Sequence, residues 1–182
     1  MTSCRGGGAR LVFGAAAVAA AVISGVLGVG LLLASDSDPD RAAPPGRLAP
    51  ALIGAGAADA PFPGLTEAQV AVGDDCLRIV IADSSTERST GLRGRRELGG
   101  YDGMLFVYGE DTNVGFTMSG VPVPLDIGFY DGRARPVDQE RMTPCPADMA
   151  DCPVYRSGAP FRYALETLGG DLPAGGLGSC AG

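Results

Sequence analysis

Three apolar runs of strand length follow one another between residues 103 and 130, and nothing else in the chain restricts its fold as much. Gly103-Met104-Leu105-Phe106-Val107-Tyr108 is the first. Phe116-Thr117-Met118 lies in the second, and Pro124-Leu125-Asp126-Ile127-Gly128-Phe129 forms the third. Gly, Pro or Asn cuts each run before it reaches helix length. The pattern continues on both sides. Glu67–Val72 and Leu77–Ala82 read as strands joined by Gly73-Asp74-Asp75. Val114–Met118 extends the second run, and Asp131-Gly132 marks a hairpin turn between Leu125–Tyr130 and Arg135–Arg141. Arg162–Leu168 reads as a late strand. One short helix fits after Ala82, because Ser84 and Glu87 have the spacing of a capping box and Gly91 and Gly94 prevent the helix from running on. The expected fold is mainly β: a compact antiparallel sandwich or barrel-like domain with one short helix.

That domain does not begin at the N-terminus. Leu11–Ala34 is an uncharged run of 24 residues. As a helix it spans about 36 Å, enough for a hydrocarbon core of about 30 Å. Arg5 and Arg10 precede it, which places residues 1–10 in the cytoplasm under the positive-inside rule. Cleavage after Ala34 would put Leu32 at the −3 position, where a small residue is needed, and the run is longer than the apolar part of a signal peptide. An uncleaved transmembrane anchor over 11–34 is therefore expected, with secretion after cleavage as the alternative. Residues 35–64 hold six of the fourteen prolines with much Ala and Gly, and read as a flexible linker. The β-rich extracytoplasmic domain is expected over 65–182.

Charge and composition exclude several functions. All 21 acids lie beyond Ala34, with twelve of the fourteen Arg. So acidic an exported part is a poor partner for nucleic acid or anionic lipid. There is no His, which removes Ser–His and Cys–His couples and imidazole metal ligands. Ser84, Ser85 and Ser119 consequently have no base to activate them. Four of the five cysteines, Cys76, Cys145, Cys152 and Cys180, lie on the exported side, where thiols oxidise in pairs. Their spacing fits no zinc knuckle or ribbon, so no metal is expected. Of the three pairings, Cys145–Cys152 closes a compact loop and leaves Cys76 for Cys180, a bridge that would tie down the glycine-rich tail.

From about Val72 to Gly178 the chain resembles the domain-of-unknown-function-192 family. The matching blocks are Ala82-Asp83, Glu87-Arg88-x-x-Gly91-Leu92, Arg95 and Leu98, Gly103-Met104-Leu105-Phe106, Phe116-x-Met118, Pro124-Leu125-Asp126 with Phe129, and Leu165-Glu166. The resemblance implies a compact, mainly β domain, often exported or anchored, with no established activity. The chain departs from the family pattern at Arg93, where Met is common, and at Thr117, where Trp is common. It departs again at Ser119-Gly120-Val121, in place of a Lys-Asn-Thr-like turn.

The candidate ligand-binding residues are Arg88, Arg95, Asp126, Glu166 and Met118. Arg88 and Arg95, with Arg93 and Arg96 nearby, form a basic patch suited to a carboxylate or phosphate. Asp126 and Glu166 are acids inside apolar strands. Each needs a donor, an Arg or a place in a cleft, and together they would make an acid–base pair if they faced one cavity. On the alternation of its strand, Asp126 shares a face with Gly128 and Tyr130, and Arg88 and Arg95 are its expected partners. Met104, Phe106, Phe116, Met118, Phe129 and Tyr130 read as core or as the wall of a groove. No catalytic residue and no cofactor is assigned. The leading expectation is a membrane-tethered extracytoplasmic domain that binds a small polar or sugar-like ligand. The rivals are a carboxylate- and Arg-dependent hydrolase of envelope carbohydrate or ester, and an interaction module without a pocket.

Overall fold

A computed structural model describes residues 56–145 and 151–180. The expected cytoplasmic segment, the anchor at 11–34 and the linker up to residue 55 lie outside the described residues. Among the described residues, no helix is long and apolar enough to cross a membrane.

The fold is mainly β with one short helix. The strands are β1 (Gly56–Ala57), β2 (Thr66–Val72), β3 (Asp75–Ala82), β4 (Gly103–Thr112), β5 (Phe116–Thr117), β6 (Leu125–Tyr130), β7 (Pro136–Met142), β8 (Val154–Tyr155), β9 (Phe161–Leu168) and β10 (Leu177–Gly178). Helix α1 (Ser85–Thr90) separates β3 from β4. One sheet runs β1-β2-β3-β4-β9-β6-β7, with β10 added to β2, and β5 pairs with β8 apart from it.

Two expectations need correction. The sheet is mixed rather than antiparallel, because β3 and β4 pair in parallel, Val80 opposite Met104 and Ile81 opposite Leu105. A parallel pair requires a crossover, and α1 with the loop to Tyr101 supplies it. Nor does the sheet close into a barrel. It curls instead. β10 lies on the β2 side, and the Leu177 N–H nonetheless donates to the Ala134 carbonyl in the β6–β7 connection at 2.9 Å. Ahead of Leu65, β1 pairs with β2 and Phe62 is buried at 4% exposure.

Each face of the sheet has its own core. Val80, Ala82, Met104, Phe106, Leu125, Ile127, Phe129 and Phe161 share the main one, closed from above by Leu92, Leu98, Met118 and Val121. Phe106, Phe116, Phe129 and Phe161 form a chain of ring contacts in it, with centroids 4.8–5.7 Å apart. Val70, Ile79, Ile81, Leu105, Tyr163, Leu165 and Tyr130 make the second, against which Leu172 and Leu177 of the tail pack. Strands buried on both faces explain why the runs at 103–108 and 125–130 are apolar almost throughout.

The cysteines meet as expected. Cys76 and Cys180 are bridged with Cα atoms 5.4 Å apart, and Cys145 and Cys152 with Cα atoms 5.8 Å apart.

A candidate ligand cleft above strand β9

Helix α1 is short, and its position is set by its caps. Ser84 Oγ accepts from the Glu87 N–H at 3.2 Å, and the Glu87 carboxylate accepts from the Ser84 and Asp83 N–H groups at 2.9 and 3.0 Å. These donors, Ser84 first, hold the Glu87 pKa below its ordinary value. Gly91 ends the helix at φ +50°, where its N–H donates to the Glu87 carbonyl. The Phe106 ring lies 3.5 Å from where a Cβ at residue 91 would sit, an ordinary contact, so it is the positive φ that favours glycine here.

Arg88 fastens α1 to the sheet. Its guanidinium donates to the Asp83 carbonyl and, at 2.9 Å, to the Val107 carbonyl. It also stacks 4.8 Å from the centre of the Tyr108 ring. Arg93 donates to the Ser89 carbonyl and, at 2.8 Å, to the Ser119 carbonyl. Between this segment and the sheet lies a cleft of about 260 Å³ bordered by Arg88, Arg93, Phe106, Tyr108, Phe116 and Glu166.

Glu166 is the unusual member. Strand β9 lies between β4 and β6, and Glu166 stands opposite Met104 on one side and Ile127 on the other. It therefore faces the main core, and only 5% of it is exposed. No hydrogen bond or ion pair from the described residues reaches its carboxyl group, which keeps contact with the cleft; among the described residues the fully enclosed side-chain atom without a partner is Thr167 Oγ1. Burial without a compensating donor pushes its pKa up to about 8. Tyr108 is raised to about 12, chiefly by burial, with Arg88 lowering it and Glu166 raising it.

The other expected site residues lie elsewhere. Asp126 faces the second side of the sheet, so it and Glu166 share no cavity and cannot act as an acid–base pair. Its partner is neither Arg88 nor Arg95 but Arg141, directly across the β6–β7 pair, with contacts of 2.8 and 3.3 Å. Asp126 also accepts from the Gly170 N–H. Arg141 first, then that N–H, outweigh burial and lower its pKa. Arg95 lies 4.8 Å over the Phe62 ring and borders a second cleft of about 380 Å³, walled by Phe62, Leu65 and Met104. Thr90 and Gly91 border both clefts, so Arg88 and Arg95 belong to neighbouring sites rather than one. Met118 is fully buried in the main core and borders neither cleft.

Sequence reasoning overlooked Tyr108 and Arg141 as site or network members. Tyr108 was legible in principle, since Met104, Phe106 and Tyr108 alternate onto one face of β4. Arg93 and Thr117, two positions that depart from the family pattern, both border the Glu166 cleft.

A curled mixed sheet with a short capped helix over a buried glutamate defines a class of β domain. Within that class the chain belongs to the DUF192 family, described as an uncharacterized ACR, whose pattern matches residues 68–179. Two solved structures are similar. One is a protein of unknown function from Novosphingobium aromaticivorans DSM 12444, with 28% identity and a TM-score of 0.54, over 69% of this chain and 89% of that one. The other is a candidate transcription regulator from Sinorhizobium meliloti 1021, with 23% identity and a TM-score of 0.52, over 60% of this chain and 89% of that one. The second likeness concerns the fold alone. No curated protein matches the chain.

Proposed function

We propose that this chain is a ligand-binding module that takes a small polar molecule into the cleft above β9 and is held at the outer face of the cell membrane by its N-terminal helix. The observation that carries the binding part is Glu166. A carboxyl group this buried, without a partner and bordering open space, costs the folded state free energy that a bound molecule would offset by supplying hydrogen bonds. Arg88, Arg93 and Tyr108 add donors around the same space, and Phe106 and Phe116 add an apolar wall. Ser89, Thr90 and Thr117 line the same space, so the cleft mixes polar and apolar surface, a composition that suits a small polar molecule. The tether rests on the uncharged run Leu11–Ala34 and on cysteines that pair as exported cysteines do.

A thermal-shift screen of the full-length chain against sugars, organic anions and metal ions tests the binding part. A specific ligand at a hundred times its Kd adds about 2.7 kcal/mol of apparent stability. The expected result is a shift that Glu166→Leu removes. A shift that survives this substitution would place the site elsewhere, and no shift with any compound would remove the reading. Intact-mass analysis of membrane-extracted protein tests the tether, which a soluble species beginning near Ser35 would disprove.

A further inference from the structure

The charge around Glu166 is of the opposite sign to that of the whole chain, whose net charge is −7. Arg88 and Arg93 border the cleft, and Glu166 is the sole acidic side chain among its lining residues. The neighbours of Glu166 give it no charge partner. Met104 faces it from β4 and Ile127 from β6. Tyr108, further along β4, stays un-ionised with its pKa near 12. Arg88 and Arg93 are the charged groups on the α1 side. Since burial moves Glu166 up to about 8, the cleft at neutral pH presents two guanidinium groups and an O–H donor, with no ionised acid among its lining residues. Its far wall is apolar, with Phe106 and Phe116 packed edge to face at 5.2 Å.

We propose that the ligand of this cleft is a small organic carboxylate, its anionic end held by Arg88 and Arg93 and by the Glu166 O–H, its hydrocarbon part against Phe106 and Phe116. This rests on the ligand-binding reading above and narrows it to one chemical class. Guanidinium groups and a carboxylic O–H all donate, and a carboxylate offers acceptors only, so donors and acceptors match. An amine would meet two like charges, and a neutral polyol would leave both cations uncompensated. Binding is proton-linked, because ionised Glu166 would face the bound anion.

Benzoate, benzamide and benzylamine share one ring and differ in charge. Their binding to the full-length chain in detergent micelles is measured by calorimetry and saturation-transfer NMR at pH 6, 7 and 9. Benzoate is expected to bind at least about tenfold more tightly than benzamide, and benzylamine not at all. Benzoate affinity should fall about tenfold from pH 7 to pH 9 as Glu166 ionises. Glu166→Gln keeps an N–H donor, so it should bind benzoate without that pH step. Tighter binding of the amide or the amine overturns the proposal, as does a pH step that persists in Glu166→Gln. If benzoate fails while a neutral compound from the wider screen binds in a Glu166-dependent manner, the carboxylate class is wrong and the ligand-binding reading stands. If nothing binds, both fall.

Discussion

Glu166 and Asp126 stand on adjacent strands of one sheet and face opposite ways. In the β6–β9 pairing Glu166 is opposite Ile127, and Asp126 is opposite Thr167, so the pleat sends one carboxyl into the main core and the other to the second face. The consequences differ in sign. Asp126 is met by Arg141 and the Gly170 N–H, which favour its charged form. No hydrogen-bond donor or ion-pair partner among the described residues meets the Glu166 carboxyl group, and burial raises its pKa.

Glu166→Gln should therefore stabilise the domain at neutral pH. The folded-state pKa of Glu166 is raised above its unfolded value, so the unfolded chain releases the proton first. Stability then falls as pH rises from about 4.5 to about 8 and levels off beyond. At pH 7 the penalty removed is on the order of 3 kcal/mol. Urea melts of both forms at pH 4 and pH 7 check this. The gain should be present at pH 7 and absent at pH 4.

Asp126→Asn should destabilise the domain by about 1 kcal/mol, below the range of about 1.5–3 kcal/mol for a charged hydrogen bond, because Arg141 is largely exposed and its attraction is screened. Here the sign is reversed. A carboxylate whose folded pKa is depressed contributes stability above its unfolded pKa, near 3.8, and loses it as pH falls through the folded value. Wild type and Asp126→Asn should converge in stability in strong acid, as denaturant midpoints at pH 2 and pH 6 will show.

Gly103→Ala should disturb β9 and with it Glu166. A Cβ at residue 103 would sit 2.5 Å from the Glu166 carbonyl oxygen and 3.2 Å from side-chain atoms of Leu165 and Thr167. Backbone must move to admit it, at a cost of about 1–3 kcal/mol. A lowered urea midpoint is expected, together with faster hydrogen exchange at the β4–β9 amides.

Removing the Cys76–Cys180 bridge should cost more than removing Cys145–Cys152. The separations of 104 and 7 residues give about 4.7 and about 2.5 kcal/mol from loop entropy, as upper guides. Cys76→Ser/Cys180→Ser should also release the tail, seen as rapid exchange of the Leu177 amide that now donates to Ala134. Peptide mapping of unreduced protein checks the pairing itself. A Cys145–Cys180 peptide would refute it.

Sequence alone determined what depends on near neighbours. The Ser84–Glu87 capping box spans three residues, and its geometry follows once a helix starts there. The division of β6 into Leu125, Ile127 and Phe129 on one face and Asp126, Gly128 and Tyr130 on the other follows from the pleat. Parity, compartment and loop length pointed to the cysteine pairs that the tertiary structure brings together. Tertiary structure decided what depends on which strand lies beside which. A two-residue turn at Asp131-Gly132 would have paired Asp126 with Val137. The connection instead spans 131–135, with Ala134 at φ +62° and the Asp131 carboxylate accepting from the Arg133 and Arg135 N–H groups, and a register shift accompanies it. Arg141 is thereby brought opposite Asp126, and Arg88 and Arg95 stay beside α1 and the loop after it. The parallel β3–β4 pair and the insertion of β9 between β4 and β6 join residues far apart in the chain, and no local period encodes such a choice. That insertion is what buries Glu166 and builds the cleft beside it.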